Sequence, residues 1–205
     1  MTELLLKFSD LYDDEGWERG TVLDLRHLEG TNGYCDDVAC TGILAAIRPF
    51  GPEGIHWIDS GDYHYASELF MRMVREPFAL VLFDNHPDNQ RTAFGDDILS
   101  CGSWVYYAQG HNPFLKPLSE GLPVYISIDL DVLSTEYART NWDQGDMTPD
   151  CLLENIGALA RSHRIIAVDI CGGITLAKGA SAQDIALNLR TRQRIIDYIC
   201  KNLTL

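Results

Sequence analysis

Five short apolar runs, separated by stretches of helical periodicity, constrain the fold of this chain more than any other feature. They are TVLDLRHL (21–28), GIHWIDS (54–60), PFALVLF (77–83), LPVYISI (122–128) and RIIAVDI (164–170). Three are nearly continuous in apolar residues, the pattern of strands covered on both faces. Between them, residues 36–47 follow an Asp-rich start and stop before Pro49, and residues 64–75 (HYASELFMRMVR) stop before Pro77. Thr148 and Pro149 supply an N-cap and first-turn pair for TPDCLLENIGALARSH. SAQD at 181–184 reads as a capping box opening a helix over 182–202, with Leu187, Ile195, Ile196 and Ile199 on one stripe. This alternation predicts an open, mostly parallel α/β sandwich. No repeat, low-complexity tract or linker interrupts it, so one domain over 1–205 is expected.

The charge balance narrows the partners. Thirty acidic against 16 basic residues give a formal charge of −14, which argues against nucleic acid and against an acidic membrane surface, and favours cations. No apolar segment approaches the ~20 residues that span a bilayer. The start MTELLLKFSDLYDDEG lacks the basic region and cleavage site of a signal peptide. The six cysteines (35, 40, 101, 151, 171 and 200) form no CxxC pair. Reduced, mostly buried thiols in a cytoplasmic protein are the expectation.

In a parallel sheet, ligands bind beyond the carboxyl ends of the strands. Here GIHWIDS leads to His64, PFALVLF to Asp84, His86 and Asp88, LPVYISI to Asp129 and Asp131, and RIIAVDI carries Asp169. Alternate residues of an extended chain face one way, so 84, 86 and 88 can converge, as can 129 and 131. Pro87 biases His86 away from helical geometry. Two imidazoles and four carboxylates form a hard ligand set that favours Mn²⁺, with Zn²⁺, Fe²⁺ or Co²⁺ as other candidates. The set exceeds the three protein ligands of a usual catalytic zinc and suits two ions. Asp169 is expected to support a ligand histidine, and His27, His56, His111 and His163 fall into no pattern.

At these residues the sequence resembles the arginase/agmatinase (ureohydrolase) family. DNHPD (84–88) is similar to that family's DAHxD and SIDLD (127–131) to its SxDxD; SGDYHY is looser to its GGDHS, and DICG (169–172) to its D-I-x-E. The resemblance implies a three-layer α/β/α sandwich with a mostly parallel central sheet, the arginase/deacetylase-like fold. It also implies one Mn²⁺ on His64, Asp84, Asp88 and Asp129 and a second on Asp84, His86, Asp129 and Asp131. Asp84 and Asp129 would bridge the ions together with a hydroxide, the nucleophile for C–N bond hydrolysis. Asp88 would orient that nucleophile or take its proton, the catalytic role. Where the family has the Glu that holds a cationic head, this chain has Gly172. Where it has a His before a Gly, this chain has Cys101 before Gly102. Both departures argue against free arginine as substrate.

Substrate contacts are therefore sought elsewhere. Gln90, Cys101, Asp143 and Gly172 are candidates, as are Glu29, Asn32, Asp36 and Asp37 on the loop after 21–28, where capping is the simpler role for the two aspartates. Cys101 and Cys171 read as small buried residues rather than nucleophiles. The expected substrate is small and cationic, bearing a guanidino or amide group, free or carried on a peptide, and a homo-oligomer is compatible with the resemblance. Two other readings are carried forward. One is a single-zinc, deacetylase-like amidohydrolase on Asp84, His86 and Asp129, and the other is a metal-binding protein of this fold without catalysis.

Overall fold

The computed structural model describes residues 2–91 and 98–204. Six parallel strands form the central sheet: β1 (Glu3–Lys7), β2 (Thr21–Asp24), β4 (Gly54–Ile58), β5 (Ala79–Phe83), β7 (Val124–Asp129) and β8 (Ile165–Cys171), in the order β2-β1-β4-β8-β7-β5. Two short strands, β3 (Tyr34–Cys35) and β6 (Leu99–Ser100), pair antiparallel beside it. The helices are α1 (Leu11–Glu15), α2 (Asp37–Ile47), α3 (Ala66–Met71), α4 (Trp104–His111), α5 (Pro149–Ser162) and α6 (Ala182–Asn202).

Side chains alternate across the strands, so one sheet makes two cores. Leu4, Leu6 and Tyr125 face the layer of α2, α3 and α4, whereas Leu5, Ile126 and Ile128 face α1, α5 and α6. The three-layer α/β/α sandwich expected from the resemblance is what forms. Among the described residues, no helix is long and apolar enough to cross a membrane.

Several boundaries differ from the sequence reading. The run LLL within MTELLLKF is a strand, β1, lying between β2 and β4, so residues 21–28 do not begin the sheet. Only Thr21–Asp24 of that run is strand, on an exposed edge whose other neighbour is solvent. The stretch 64–75 contains one short helix, Ala66–Met71, entered through a 3₁₀ turn at Gly61–Tyr63 and left through i→i+3 bonds from Met73 and Val74. The thiols are also less buried than expected: Cys35 and Cys171 are buried, Cys40 and Cys101 partly so, and Cys151 and Cys200 exposed.

On the α6 side, Arg192 and Glu15 form a fully buried ion pair (Nε to Oε2, 2.8 Å). Arg192 also donates to the carbonyl of Gly172, and its guanidinium lies over Tyr12 and Trp57. Burial pushes the Glu15 carboxyl upward, opposed by Arg192. Removing one partner strands the other charge in the core. Arg192→Met should therefore cost about 3–5 kcal/mol in urea unfolding. The double variant Glu15→Leu/Arg192→Met should recover part of that loss; a double variant as unstable as the sum of the singles would show that the pair is not the unit that matters.

Candidate metal centre

Four adjacent strands, β4, β8, β7 and β5, end at one site. His64 follows β4 and is buried; its Nδ1 lies 3.1 Å from Asp84 Oδ2, 3.3 Å from Asp88 Oδ2 and 3.7 Å from Asp129 Oδ2. The ring is fixed from behind by Ser127 Oγ, 2.8 Å from Nε2, itself 3.0 Å from Ser67 Oγ. Nδ1 is thus the atom presented to the carboxylates. His86 sits nearer the mouth, a third exposed, with Nδ1 2.9 Å from Asp131 Oδ2 and 3.5 Å from Asp84 Oδ1.

Local geometry comes from two Asx turns. Asp84 Oδ1 accepts from His86 N (2.6 Å), and Asp129 Oδ1 accepts from Asp131 N (2.9 Å), each carboxylate closing on the amide two residues ahead. The expectation that 84, 86 and 88 converge along an extended chain is corrected here. The segment bends at Asn85 and His86, and Asp88 adopts a left-handed backbone (φ 43°). That bend is held by Asn85 N donating to Asp131 Oδ1 (3.0 Å) and by Val105 N, at the start of α4, donating to Asp88 O (3.0 Å). Trp104, also at the start of α4, donates Nε1 to Asp88 Oδ2 at 2.6 Å.

The potential ligand atoms fall into three overlapping groups: His64 with Asp84 and Asp88; Asp84 with His86 and Asp131; and His64 with Asp129 and Cys171. Asp84 belongs to the first two. All six sequence-derived ligand candidates meet at this one place. Oxygen and nitrogen donors dominate, as hard divalent cations require.

The electrostatics fit a cation. Burial, reinforced by Asp131 and Asp84, drives the Asp129 carboxyl far above its ordinary range. Burial and the Asp84 charge push Asp131 up to about 8, and burial raises Asp88. Burial would lower His64, but its hydrogen bonds to Asp84 and Asp88 overcome this and raise it. Asp84 ends lowered: burial opposes, while His64 and the His86 amide prevail. Four carboxylates are thus held together with only two imidazoles between them, an arrangement that is costly without further positive charge.

A cavity of about 200 Å³ opens onto this cluster. Gln90 and Cys101 line it, as expected, with Gly61, Gly102 and Trp142. Asp143 does not; it is exposed, its carbonyl accepts from Asn85 Nδ2 (3.0 Å), and its neighbour Trp142 forms the wall instead. Gly172 lies buried behind Asp129, off the cavity lining: at φ +97° a Cβ there would stand 2.3 Å from Asp129 Oδ1. Neither Glu29, Asn32, Asp36 nor Asp37 lines the cavity. Asp36 caps α2 by accepting from Ala39 N (2.8 Å). Asp169 supports no ligand histidine. It lies within β8, bonded to His56 Nδ1 (2.7 Å) and to the Tyr125 hydroxyl (2.8 Å). Burial lifts the Cys101 thiol to about 11 and raises Cys171, which lies off the cavity lining, well above its ordinary value, as suits small buried residues rather than nucleophiles.

The roles of Trp104, Ser127 and Trp142 escaped the sequence reading. Ser127 stands inside SIDLD and Trp104 inside LSCGSW, so the signal is proximity to a motif; Trp142 lies in TNWDQGDMT (140–148), a stretch that reads as a candidate rim through Asp143 rather than through its tryptophan.

No protein-family model matches the chain. An uncharacterized protein of Thermotoga maritima is 28% identical over 145 residues, 58% of this chain and 58% of that relative, so the match spans little more than half of either. Among solved structures, the arginase of Medicago truncatula aligns with a TM-score of 0.66 at 14% identity, over 94% of this chain and 85% of its own. Formimidoylglutamase from Bacillus subtilis gives 0.63 at 12% identity, over 98% and 86%. A triple mutant of the T. brucei arginase-like protein, bound with Mn²⁺, gives 0.57 at 15%, over 100% and 91%. The chain therefore has the arginase/agmatinase (ureohydrolase) fold. Identities this low mark it as a divergent version.

Asp88, Asp129, Asp131 and His64 all bind protons more tightly folded than unfolded. Raised folded values mean that stability is lost as pH rises, here from the ordinary 3.8 of a carboxylate toward the value of about 8 at Asp131. Chelator-treated protein should thus lose thermal stability between mildly acidic and mildly alkaline pH. The slope is bounded by about 1.4 kcal/mol per pH unit per proton. Mn²⁺ should flatten it; a metal-free protein equally stable across this range would contradict the electrostatic reading.

Proposed function

We propose that this chain is a metal-dependent hydrolase of C–N bonds, working on a small substrate with a guanidino or amide group. The structural neighbours are hydrolases by name, arginase and agmatine ureohydrolase among them. The observation that carries the proposal is the pair of overlapping ligand groups sharing Asp84. His64, Asp84, Asp88 and Asp129 would hold one divalent cation, and Asp84, His86, Asp129 and Asp131 a second, Mn²⁺ being the favoured ion. Two such ions supply an activated water near neutral pH and an electrophilic clamp for the scissile group.

The chain's own residues do the rest. Ser127 holds the His64 ring so that Nδ1, not Nε2, faces the site. Trp104 pins Asp88 through Oδ2, fixing the carboxylate that orients the attacking water and takes its proton. Gln90 offers an amide and Trp142 an indole face to a planar head group at the cavity wall. Without the clamp that the family's Glu provides, free arginine is not the expected substrate.

The single-zinc alternative draws less support. It would use Asp84, His86 and Asp129 and leave His64, Asp88 and Asp131, gathered at the same place, without a role. A catalytically silent metal site is the other outcome to distinguish.

Two measurements test the proposal. Protein stripped of metal and reloaded with Mn²⁺ should hold about two ions per chain, and Asp84→Ala should lose both because it serves both groups. Failure to take up metal would sink the proposal. A screen of guanidino and amide compounds should then give ammonia or urea release that chelation abolishes. Asp88→Asn should lower kcat by about 10²–10⁴-fold. Two bound ions with no turnover on any C–N substrate would favour the silent site.

A further inference from the structure

At the start of α2, two cysteines that do not line the metal cavity meet an arginine. Cys35 closes β3 and immediately precedes Asp36, the N-cap of α2; Cys40 lies in the first turn and a half of that helix. These are the positions before the cap and four into the helix, whose side chains pack together in a hydrophobic staple. Here both staple residues are thiols, near enough that each shifts the other's titration, and Cys35 Sγ lies 3.7 Å from the carbonyl of Asp36. Arg72, which ends α3, donates Nη1 to Cys40 Sγ at 3.4 Å. Its Nε is held at 2.6 Å by Glu68 Oε2, and its guanidinium stacks over Tyr107. The arginine is therefore fixed rather than mobile. Cys35 is buried, whereas Cys40 is partly open, and Arg72 lines an adjacent surface hollow with Leu44, Arg48 and Arg75.

A partly exposed sulfur with a fixed cation on one side and a second thiol on the other is the arrangement of an attacking thiol and its resolving partner. We propose that Cys35 and Cys40 form a peroxide-oxidisable dithiol, Cys40 attacking and Cys35 resolving it as a disulfide. In the first step the Cys40 thiolate forms an S–O bond with the peroxide, the O–O bond breaks, and the departing hydroxide takes a proton to leave as water. In the second, the Cys35 sulfur attacks the sulfenic acid, the S–O bond breaks, and a second water leaves. Two thiols give up two electrons and two protons in all, and one peroxide is reduced to two waters.

The charges around the pair favour this assignment. The hydrogen bond from Cys35 holds the Cys40 thiol down to about 6; burial opposes, Arg72 assists, and Glu68 works against it. Cys35 is raised by the same hydrogen bond, by burial and by Asp36, which keeps it protonated until Cys40 has reacted. The ordinary alternative is a staple of two small apolar residues, and the experiment separates the two.

The full chain, reduced and folded, is exposed to a small excess of hydrogen peroxide, alkylated, and digested with trypsin. Because Arg48 precedes Pro49 and is not cut, residues 27–72 form one peptide containing both cysteines. It should appear lighter by two hydrogens and unalkylated, reverting with a reductant. Cys40 should react about tenfold faster than the exposed Cys151 or Cys200. Cys35→Ser should leave Cys40 as a sulfenic acid that dimedone traps; Cys40→Ser should leave the peptide unoxidised. Oxidation of Cys40 no faster than that of the two exposed cysteines would overturn the proposal. So would trapped sulfenic acid without any intramolecular disulfide in the unmodified sequence.

Discussion

The physical constraint on which this structure turns is the gathering of four buried carboxylates around two imidazoles at the end of a parallel sheet. Such a cluster repels itself, and its members titrate far from their ordinary values unless positive charge is added. Holding it requires rigid surroundings, and the fold supplies them from every side. Trp104 and the Val105 amide fix Asp88 from α4, Ser127 fixes His64 from β7, and the Asn85 amide fixes Asp131. These contacts come from α4, from β7 and from the loop after β5, so the site depends on the packing of the sandwich rather than on one motif.

The same logic explains Gly172. The loop after β8 is anchored twice: Gly172 N donates to Asp59 O (3.0 Å), and Gly172 O accepts from the buried Arg192. Asp59 in turn ties β1 to β4, accepting from Phe8 N (2.8 Å) and Ser9 N (2.7 Å). Drawn in this way, the backbone presses against Asp129 in a left-handed conformation that leaves no room for a Cβ. The absence of a glutamate here is therefore built into the packing. Restoring one would require the loop, its Arg192 anchor and Asp129 all to shift.

Much of this was legible in the sequence, but not always for the right reason. The apolar runs 54–60, 77–83, 122–128 and 164–170 gave the four strands that carry the site, because strands buried on both faces leave a continuous apolar signal. The run LLL of β1 was too short and too close to charged residues to read, although it lies between two other strands. Apart from His64, the candidate ligand residues stand out by their i, i+2 spacing, which reads as strand alternation. In the structure that spacing arises from Asx turns, which share the period and the residue types. A turn and a metal ligand are thus not competing explanations for DNHPD: the turn is what aims the ligands. Contacts between distant segments, such as Trp104 with Asp88 or Arg192 with Gly172, left no local pattern to detect.

What surrounds the cluster bears on selectivity. Trp142 leans over the site with its indole nitrogen 3.2 Å from Asp62 Oδ1 and its ring edge-on to His86 at 5.9 Å. Gly61 makes this possible, since a Cβ there would stand 2.8 Å from the indole Cδ1 and 3.0 Å from Asp129 Oδ2. Asp62 is itself occupied, accepting from Lys178, Asn141 Nδ2 and the indole. Asp62 is thereby paired with a cation, and Trp142 supplies the aromatic part of the cavity wall. Recognition of a planar head group would then rest on shape and stacking, which discriminate less sharply among cations and amides than a buried carboxylate does.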